Sequence, residues 1–268
     1  MLQKNYKMNK IALFDMDGTL TEPRKKINSK TIHSLRQLSE YFDIGIVTGS
    51  DLDYVRQQLD FAFDVGGVNL DKIRLFPCNG TKYYKWQNNS FESMYESDMI
   101  KVIGRDNYTY IIQALLSYQI LISAKHNLPY TGTFFHYRGS MLNWCPIGRQ
   151  ADDTERKAWV EADQENSIRL SYIKIIEEMI EKKSLNLSVA LGGSTSFDIF
   201  PEGWDKTYVI KHLDEYSEMF FVGDRCEPGG NDHELYELLK DEENSQSYTV
   251  SSPSETVEVI DKIIKEQS

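Results

Sequence analysis

Asp15 and Asp17 stand one residue apart in the run FDMDGTLT, residues 14–21. Carboxylates at that spacing, just past a strand tip, can divide the work of phosphoryl transfer. One meets the phosphorus atom, while the other meets an oxygen attached to it. An aspartate is a weak nucleophile and a phosphate dianion repels it, so the pair calls for a cation, and an oxygen-only donor set points to Mg²⁺. Gly18 lets the chain turn sharply and bring backbone N–H groups close to phosphate oxygens. With each fixed residue of D-x-D-G-T at about one in fifteen, chance supplies the motif about once in two hundred chains of this length. The alternative is a turn in which both aspartates merely cap a helix. The motif's place directly after an apolar run argues against that, because open α/β sheets bind ligands at the carboxyl ends of their strands.

Other residues recur at equivalent places in the pattern. Thr48-Gly49-Ser50 follows a second apolar run, where hydroxyl and N–H groups can hold phosphate; Thr48 and Ser50 are candidate binding residues. Asp224 follows Met219–Gly223, and a third carboxylate there would complete a metal site with Asp15. Asn231 and Asp232 lie just beyond a Gly-rich turn as supporting residues, and Lys206, after Gly203-Trp204-Asp205, can supply a fixed positive charge. Taken singly, each is weak: Lys206 alone reads as an ordinary surface lysine.

These residues need elements to carry them. Ile11–Phe14 is a short continuous apolar run, as in a strand buried on both faces. Ile32, Leu35, Leu38 and Phe42 follow at helical spacing, then a strand at Ile44–Val47 and a helix from about Asp51. The C-terminal part repeats the alternation. It has a strand at Met219–Val222, a helix through Leu235, Leu238 and Leu239, a strand near Tyr248–Val250 and a helix through Val257, Ile260 and Ile264, with Asp241–Gln246 as a polar loop. Alternating strands and helices predict an α/β fold with a doubly wound, parallel, Rossmann-like sheet. The middle differs. A long helical stretch (Tyr108–Ile122) precedes strand-like runs at Thr133–Tyr137 and Met141–Trp144, helices at Glu155–Ala162 and Ile168–Ile180, and a hairpin-like pair, Asn186–Leu191 and Ser196–Phe200. Strand pairs joined by short Gly-containing turns predict an antiparallel sheet, so residues 85–200 read as an α+β cap inserted into a core of residues 1–84 and 201–268.

Composition bounds the rest. The 268 residues carry 30 basic and 41 acidic side chains, a formal charge of −11. That balance excludes a protein that binds nucleic acid through a cationic face, and any anionic substrate must be held by a few placed cations. Three cysteines (Cys78, Cys145, Cys226) without zinc spacing, no secretory leader and no run long enough to span a membrane predict a reduced, cytoplasmic setting.

In this order, the motifs resemble the four signatures of the haloacid dehalogenase superfamily. FDMDGTLTEPRKKI, PIGR, GGSTSFDIFPEGWDKTYVI and GDRCEPGGNDHE carry the resemblance further, to the eukaryotic-type α-phosphomannomutases over nearly the whole chain. The resemblance implies Asp15 as the phosphorylated nucleophile and Asp17 as the general acid/base. Mg²⁺ would be held by Asp15, the backbone carbonyl of Asp17 and Asp224. Arg24 would touch substrate from the core. Arg138, Arg149 and Arg156 of the cap would hold the distal phosphate, with Ser196 and Asp198 completing the sugar pocket. It further implies interconversion of mannose 6-phosphate and mannose 1-phosphate through a hexose 1,6-bisphosphate, which also serves as activator, feeding GDP-mannose synthesis. A homodimer through the caps and water exclusion by cap closure belong to the same expectation.

This chain departs from that family pattern at several points. Met16 and Thr48 stand where smaller residues are usual, and Thr48 matches the broader phosphatase pattern. LYELLKDEEN lacks the acidic and hydroxyl pair that a second cation site would use. Cys226 reads as an incidental small residue, and His233 could reach the site or make a structural hydrogen bond. The competing functions are a Mg²⁺-dependent sugar-phosphate phosphatase on the same scaffold and a non-catalytic sugar-phosphate-binding protein.

Overall fold

Ile11, Ala12, Leu13 and Phe14 are all fully buried, as a strand covered on both faces requires. They form most of β1 (Asn9–Phe14) in a computed structural model that describes residues 9–64 and 66–267. β1 pairs in parallel with β2 (Asp43–Val47) on one side and β10 (Tyr216–Gly223) on the other; β3 (Ile73–Phe76) and β11 (Ser245–Thr249) extend the parallel part. The antiparallel strands β4 (Lys82–Gln87) and β5 (Ser90–Glu96) finish a seven-stranded sheet of order β11-β10-β1-β2-β3-β4-β5.

Both faces are covered, so the sheet is doubly wound. Alternate strand residues face opposite ways. Ala12, Phe14, Ile44 and Ile46 pack with apolar residues of α1 (Ser29–Leu38), α2 (Leu52–Asp64) and α8 (Pro253–Gln267). Ile11, Leu13, Val47 and Phe221 pack on the other face with Val209 of the short 3₁₀ helix Lys206–His212 and with Leu235 and Leu239 of α7 (His233–Lys240).

The other unit is Ser97–Trp204. It contains a four-stranded antiparallel sheet of order β6-β7-β9-β8, from β6 (Phe135–Tyr137), β7 (Leu142–Trp144), β8 (Leu187–Gly192) and β9 (Ser196–Pro201). Its helices are α3 (Met99–Ile103), α4 (Arg105–Lys125), α5 (Asp153–Asn166) and α6 (Ile168–Lys182). Trp144 and Phe197 stack at 4.7 Å between ring centroids; Trp144 also meets Tyr172 of α6 and donates its indole N–H to Gln119 of α4 at 2.7 Å.

Two expectations are corrected. The insertion begins at Ser97 and ends at Trp204, not at 85 and 200. Strand β4 hydrogen-bonds onto β3 and β5 onto β4, so both belong to the larger sheet. The last strand starts at Ser245, inside the segment expected to be a loop, because its backbone pairs with β10 although its side chains are polar. Among the described residues, no helix is long and apolar enough to cross a membrane.

Candidate active site

β1 is where the strand order reverses: the chain runs outward through β2 and β3 on one side and returns through β10 and β11 on the other. Ligand sites form at the carboxyl ends of strands beside such a switch point. Asp15 leaves the end of β1, its N–H donating to the Val222 carbonyl at 2.9 Å, and Asp224 leaves the end of neighbouring β10. Asp15, Asp224 and Asp232 each offer an oxygen within 4.8 Å of the others.

Lys206 ends among them. It is the first residue of its 3₁₀ helix, which Asp205 caps by accepting from the Thr207 N–H at 2.8 Å. Its side chain is 1% exposed; its ammonium donates to Asp15 Oδ1 and, at 2.5 Å, to Asp232 Oδ1. Burial alone would lower the lysine's proton affinity, but the two carboxylates outweigh it and hold Lys206 well above the ordinary lysine range. It is a fixed cation. Both oxygens of Asp232 are engaged: the second accepts the Arg225 N–H at 3.0 Å. Burial, joined by the charges of Asp232 and Asp224, nevertheless pushes Asp15 well above the usual carboxylate range. Burial and Asp232 push Asp224 up to about 6. Three carboxylates around one ammonium leave negative charge in excess.

The chemistry of a divalent cation fits this excess. Asp224 Oδ1 is buried with no hydrogen-bond partner, and all the nearby donor atoms are carboxylate oxygens, the set that suits a hard ion. Gly18 makes room for the close approach. With φ at +92°, it would place a Cβ 2.3 Å from Asp224 Oδ2. Asp232, expected only in a supporting role, completes the carboxylate group and anchors Lys206. Asn231 is exposed.

The Asp17 side chain is held elsewhere. Its Oδ1 accepts from the Arg24 N–H at 3.0 Å, the Tyr54 hydroxyl at 3.1 Å and the Gln58 amide at 3.2 Å. Gln58 is oriented in turn by Thr21, whose hydroxyl donates to Gln58 Oε1 at 2.6 Å. Burial and Asp17 push the Tyr54 phenol far up, so it remains a donor. Three donors thus converge on Oδ1 and fix the orientation of the Asp17 carboxylate. Arg24 has φ at +64°, a left-handed conformation that only a well-determined surrounding sustains in a non-glycine residue. Thr48 is buried, and its hydroxyl oxygen accepts the Ser50 N–H at 3.1 Å.

Sequence reading missed Tyr54 and Gln58. They sit four residues apart on α2, hence on one face, and Gln58 interrupts an otherwise apolar buried stripe of Val55, Leu59, Ala62 and Phe63. A glutamine in that stripe was the available signal. Replacing it, Gln58→Leu should lower kcat about 10- to 100-fold with little change in KM, the scale of a hydrogen bond to a charged group. Steady-state kinetics with Gln58→Glu beside it checks this, since the introduced carboxylate would repel Asp17 and fail to rescue.

The insertion brings a second set of expected residues together. The guanidinium of Arg138, in the β6–β7 turn, lies 3.8 Å from Asp198 Oδ1 on β9. Arg149 donates to Asn143 Oδ1 at 3.0 Å, and Asn143 donates to Asp198 Oδ1 at 2.7 Å. Arg156, on α5, donates to the Thr195 hydroxyl at 2.9 Å, next to Ser196. The β8–β9 turn, which carries Thr195 and leads into Ser196 at the start of β9, is pinned by Arg169, which pairs with Asp163 at 2.6 Å and donates to the carbonyls of Gly193 and Ser196. Asn143, Thr195 and Arg169 were not foreseen. Cys226 and His233 take structural parts: burial pushes the Cys226 thiol up to about 12, and His233 Nδ1 lies 2.9 Å from the Cys226 carbonyl oxygen.

In overall fold, the chain is similar to an IMP-nucleotidase of Plasmodium falciparum (TM-score 0.64, 14% identity, 96% of this chain and 68% of that one). It is also similar to a trehalose-6-phosphate phosphatase related protein (TM-score 0.55, 15% identity, 96% and 98%). Sequence relatives are more specific. The chain is 36% identical over 249 residues to the phosphomannomutase of Dendrobium officinale (92% of this chain, 91% of that one). It is 37% identical over 255 residues to phosphomannomutase 2 of Dictyostelium discoideum (94% and 95%). The family described as eukaryotic phosphomannomutase matches residues 30–266. A match over that much of the sequence, with relatives aligned along nearly their whole length, leaves one conclusion: this chain belongs to the eukaryotic phosphomannomutase family.

Proposed function

We propose that the protein interconverts mannose 6-phosphate and mannose 1-phosphate, using Asp15 as phosphoryl carrier. The reading rests above all on the unequal surroundings of Asp15 and Asp17. Asp15 is held by a buried ammonium beside Asp224, whereas Asp17 has one oxygen saturated by donors and the other left for a proton.

The C1 hydroxyl of mannose 6-phosphate attacks the phosphorus carried by Asp15. Asp17 takes the hydroxyl proton, and the bond from phosphorus to the Asp15 oxygen breaks. The product is mannose 1,6-bisphosphate. After reorientation, Asp15 attacks the phosphorus at the 6-position and Asp17 returns its proton to O6 as that bond breaks. Mannose 1-phosphate leaves and the phosphorylated Asp15 is restored, so a trace of hexose 1,6-bisphosphate primes the cycle. Lys206 offsets charge on the transferring oxygens, Thr48 and Ser50 bind them, and Arg24 contacts the sugar phosphate. Arg138, Arg149 and Arg156 bind the phosphate that is not reacting, through guanidinium forks that suit its oxygens. Ser196 and Asp198 take the sugar hydroxyls.

Mg²⁺ is the proposed ion, held by Asp15, Asp224 and the Asp17 carbonyl; when bound, it neutralises charge between carboxylate and phosphate. Mg²⁺ at a hundred times its Kd should add about 2.7 kcal/mol of stability. Thermal unfolding with and without Mg²⁺ reads this as a raised Tm, and Asp224→Asn should lose most of the increase.

The setting proposed is cytoplasmic, supported by three buried cysteines without zinc spacing. A homodimer is supported by the exposed Leu116, Ile120 and Leu121 on α4. The partners are small hexose phosphates, which feed synthesis of GDP-mannose; the charge of −11 argues against nucleic acid.

Purified protein given mannose 6-phosphate, Mg²⁺ and a trace of bisphosphate should form mannose 1-phosphate with little inorganic phosphate. Stoichiometric phosphate release without isomerisation would identify a phosphatase instead, and neither product would leave a binding protein.

A further inference from the structure

Lys206, Val209 and His212 follow one another at intervals of three along the 3₁₀ helix Lys206–His212. About three residues make one turn of such a helix, so all of them share a face. The first aims its ammonium at Asp15 and Asp232. The other two meet a single residue, Gly80. A Cβ on Gly80 would lie 2.9 Å from both the Cα and the backbone N of Val209. The His212 ring donates through Nε2 to the Gly80 carbonyl at 2.8 Å, since that oxygen can only accept. Val209 is fully buried, and the His212 ring stacks on Phe76 at 5.9 Å between centroids.

Gly80 is held firmly from the other side. It closes the turn Cys78–Gly80 after β3, in which successive residues take left-handed φ values of +51°, +62° and +83°. This turn is anchored to the loop after β2. The Cys78 N–H donates to the Ser50 carbonyl and the Asn79 N–H to the Thr48 carbonyl, both at 2.8 Å. The Thr81 hydroxyl adds a bond to the Cys78 carbonyl at 2.6 Å. The 3₁₀ helix is the softer body of the two. Its type of hydrogen bond is poorly aligned and runs beyond about four residues are uncommon, whereas this one has seven. Contact with the turn therefore decides where the helix sits.

We propose that Gly80 is a positioning residue for Lys206: the missing side chain lets the 3₁₀ helix seat directly on the turn, and that seat fixes the face that carries the ammonium. A side chain at position 80 pushes Val209 outward, and Lys206 with it, because they are one helical turn apart. A displacement of about an ångström can cost a catalytic group about a hundredfold in rate. This rests on the reading of Lys206 as the charge that offsets the transferring phosphoryl group, and the test separates the two.

Steady-state kinetics with mannose 6-phosphate, Mg²⁺ and fixed bisphosphate should compare the parent chain, Gly80→Ala, Lys206→Met and the double variant. No isomerisation by the parent, or Lys206→Met at the parent kcat, removes the underlying reading and this inference with it. Gly80→Ala should lower kcat about tenfold with little change in KM. It should also lower Tm, since alanine is strained at a φ of +83°. A lower Tm follows from any structural role, so the kinetic cycle decides. In the Lys206→Met background, Gly80→Ala should still lower Tm but leave kcat unchanged, because the group it misplaces is gone. An equal loss of kcat in that background, or none in the parent chain, overturns the proposal. Should Gly80→Ala fail to fold, His212→Phe takes its place. Phenylalanine keeps a ring against Phe76 but has no N–H for the Gly80 carbonyl. It should slow the parent chain about threefold and the Lys206→Met chain not at all; equal slowing of both, or of neither, would again overturn the positioning role.

Discussion

Asp15→Asn is expected to abolish turnover of mannose 6-phosphate, by roughly four orders of magnitude or more, the scale on which an enzyme loses its nucleophile. The side chain keeps its shape, but an amide cannot form the acyl phosphate on which both proposed half-reactions depend. The protein should nevertheless fold. Asp15 is buried and its proton affinity is raised, with burial as the largest cause, so the charged form costs stability that a neutral amide does not. Lys206 keeps Asp232 as a partner. The expected result is therefore an inactive protein with an unchanged or higher Tm. Mass spectrometry after exposure to bisphosphate should show the phosphoryl adduct on the parent chain only. Retained interconversion in the variant would move the phosphoryl carrier to another residue.

Lys206→Met should act on activity and stability together. The side chain is 1% exposed and its ammonium bridges two carboxylates, one from the N-terminal and one from the C-terminal segment of the larger unit. Methionine fills similar volume but leaves Asp15 and Asp232 buried without their shared cation. Breaking a buried ion pair in this way costs about 3–5 kcal/mol, and in the proposed role, loss of a charge facing the transferring phosphoryl group costs about 10²–10³ in kcat. Chemical denaturation and single-turnover kinetics measure the two effects separately. Lys206→Met/Asp232→Asn, which removes the second uncompensated charge as well, should recover much of the stability and little of the rate. If the double variant recovered activity as fully as stability, Lys206 would be a structural ion-pair partner alone.

The larger sheet was legible because its central strands are continuous apolar runs: Ile11–Phe14 and Met219–Val222 are read directly as strands, and the residues after them as sheet-end residues. β11 was harder. Ser245 to Ser247 are polar, and only backbone pairing with β10 makes them a strand. For the same reason the boundary expected at residue 85 cuts through β4 and puts β5, partly exposed and mixed in character, in the insertion, although β4 pairs with β3 and β5 with β4. Periodicity reports burial of side chains, and it is silent where backbone pairing alone defines an element.

The same division holds for the site. Asp15, Asp17, Asp224 and Lys206 announced themselves because each follows a strand or opens a helix inside a recognisable string of residues. Their partners did not. Gln58 lies 41 residues from Asp17, and Asp198 lies 55 from Asn143; no local spacing joins such pairs. Order along the chain was enough to point to the family and to an α/β scaffold, which the family match and the sheet bear out. That three donors converge on one oxygen of Asp17, that Asp232 accepts from both Lys206 and the Arg225 N–H, and that a neutral amide stands between Arg149 and Asp198 were decided by folding alone. Hydrogen bonds and charge interactions act over a few ångströms in space, whereas the residues that make them are scattered over the length of the chain.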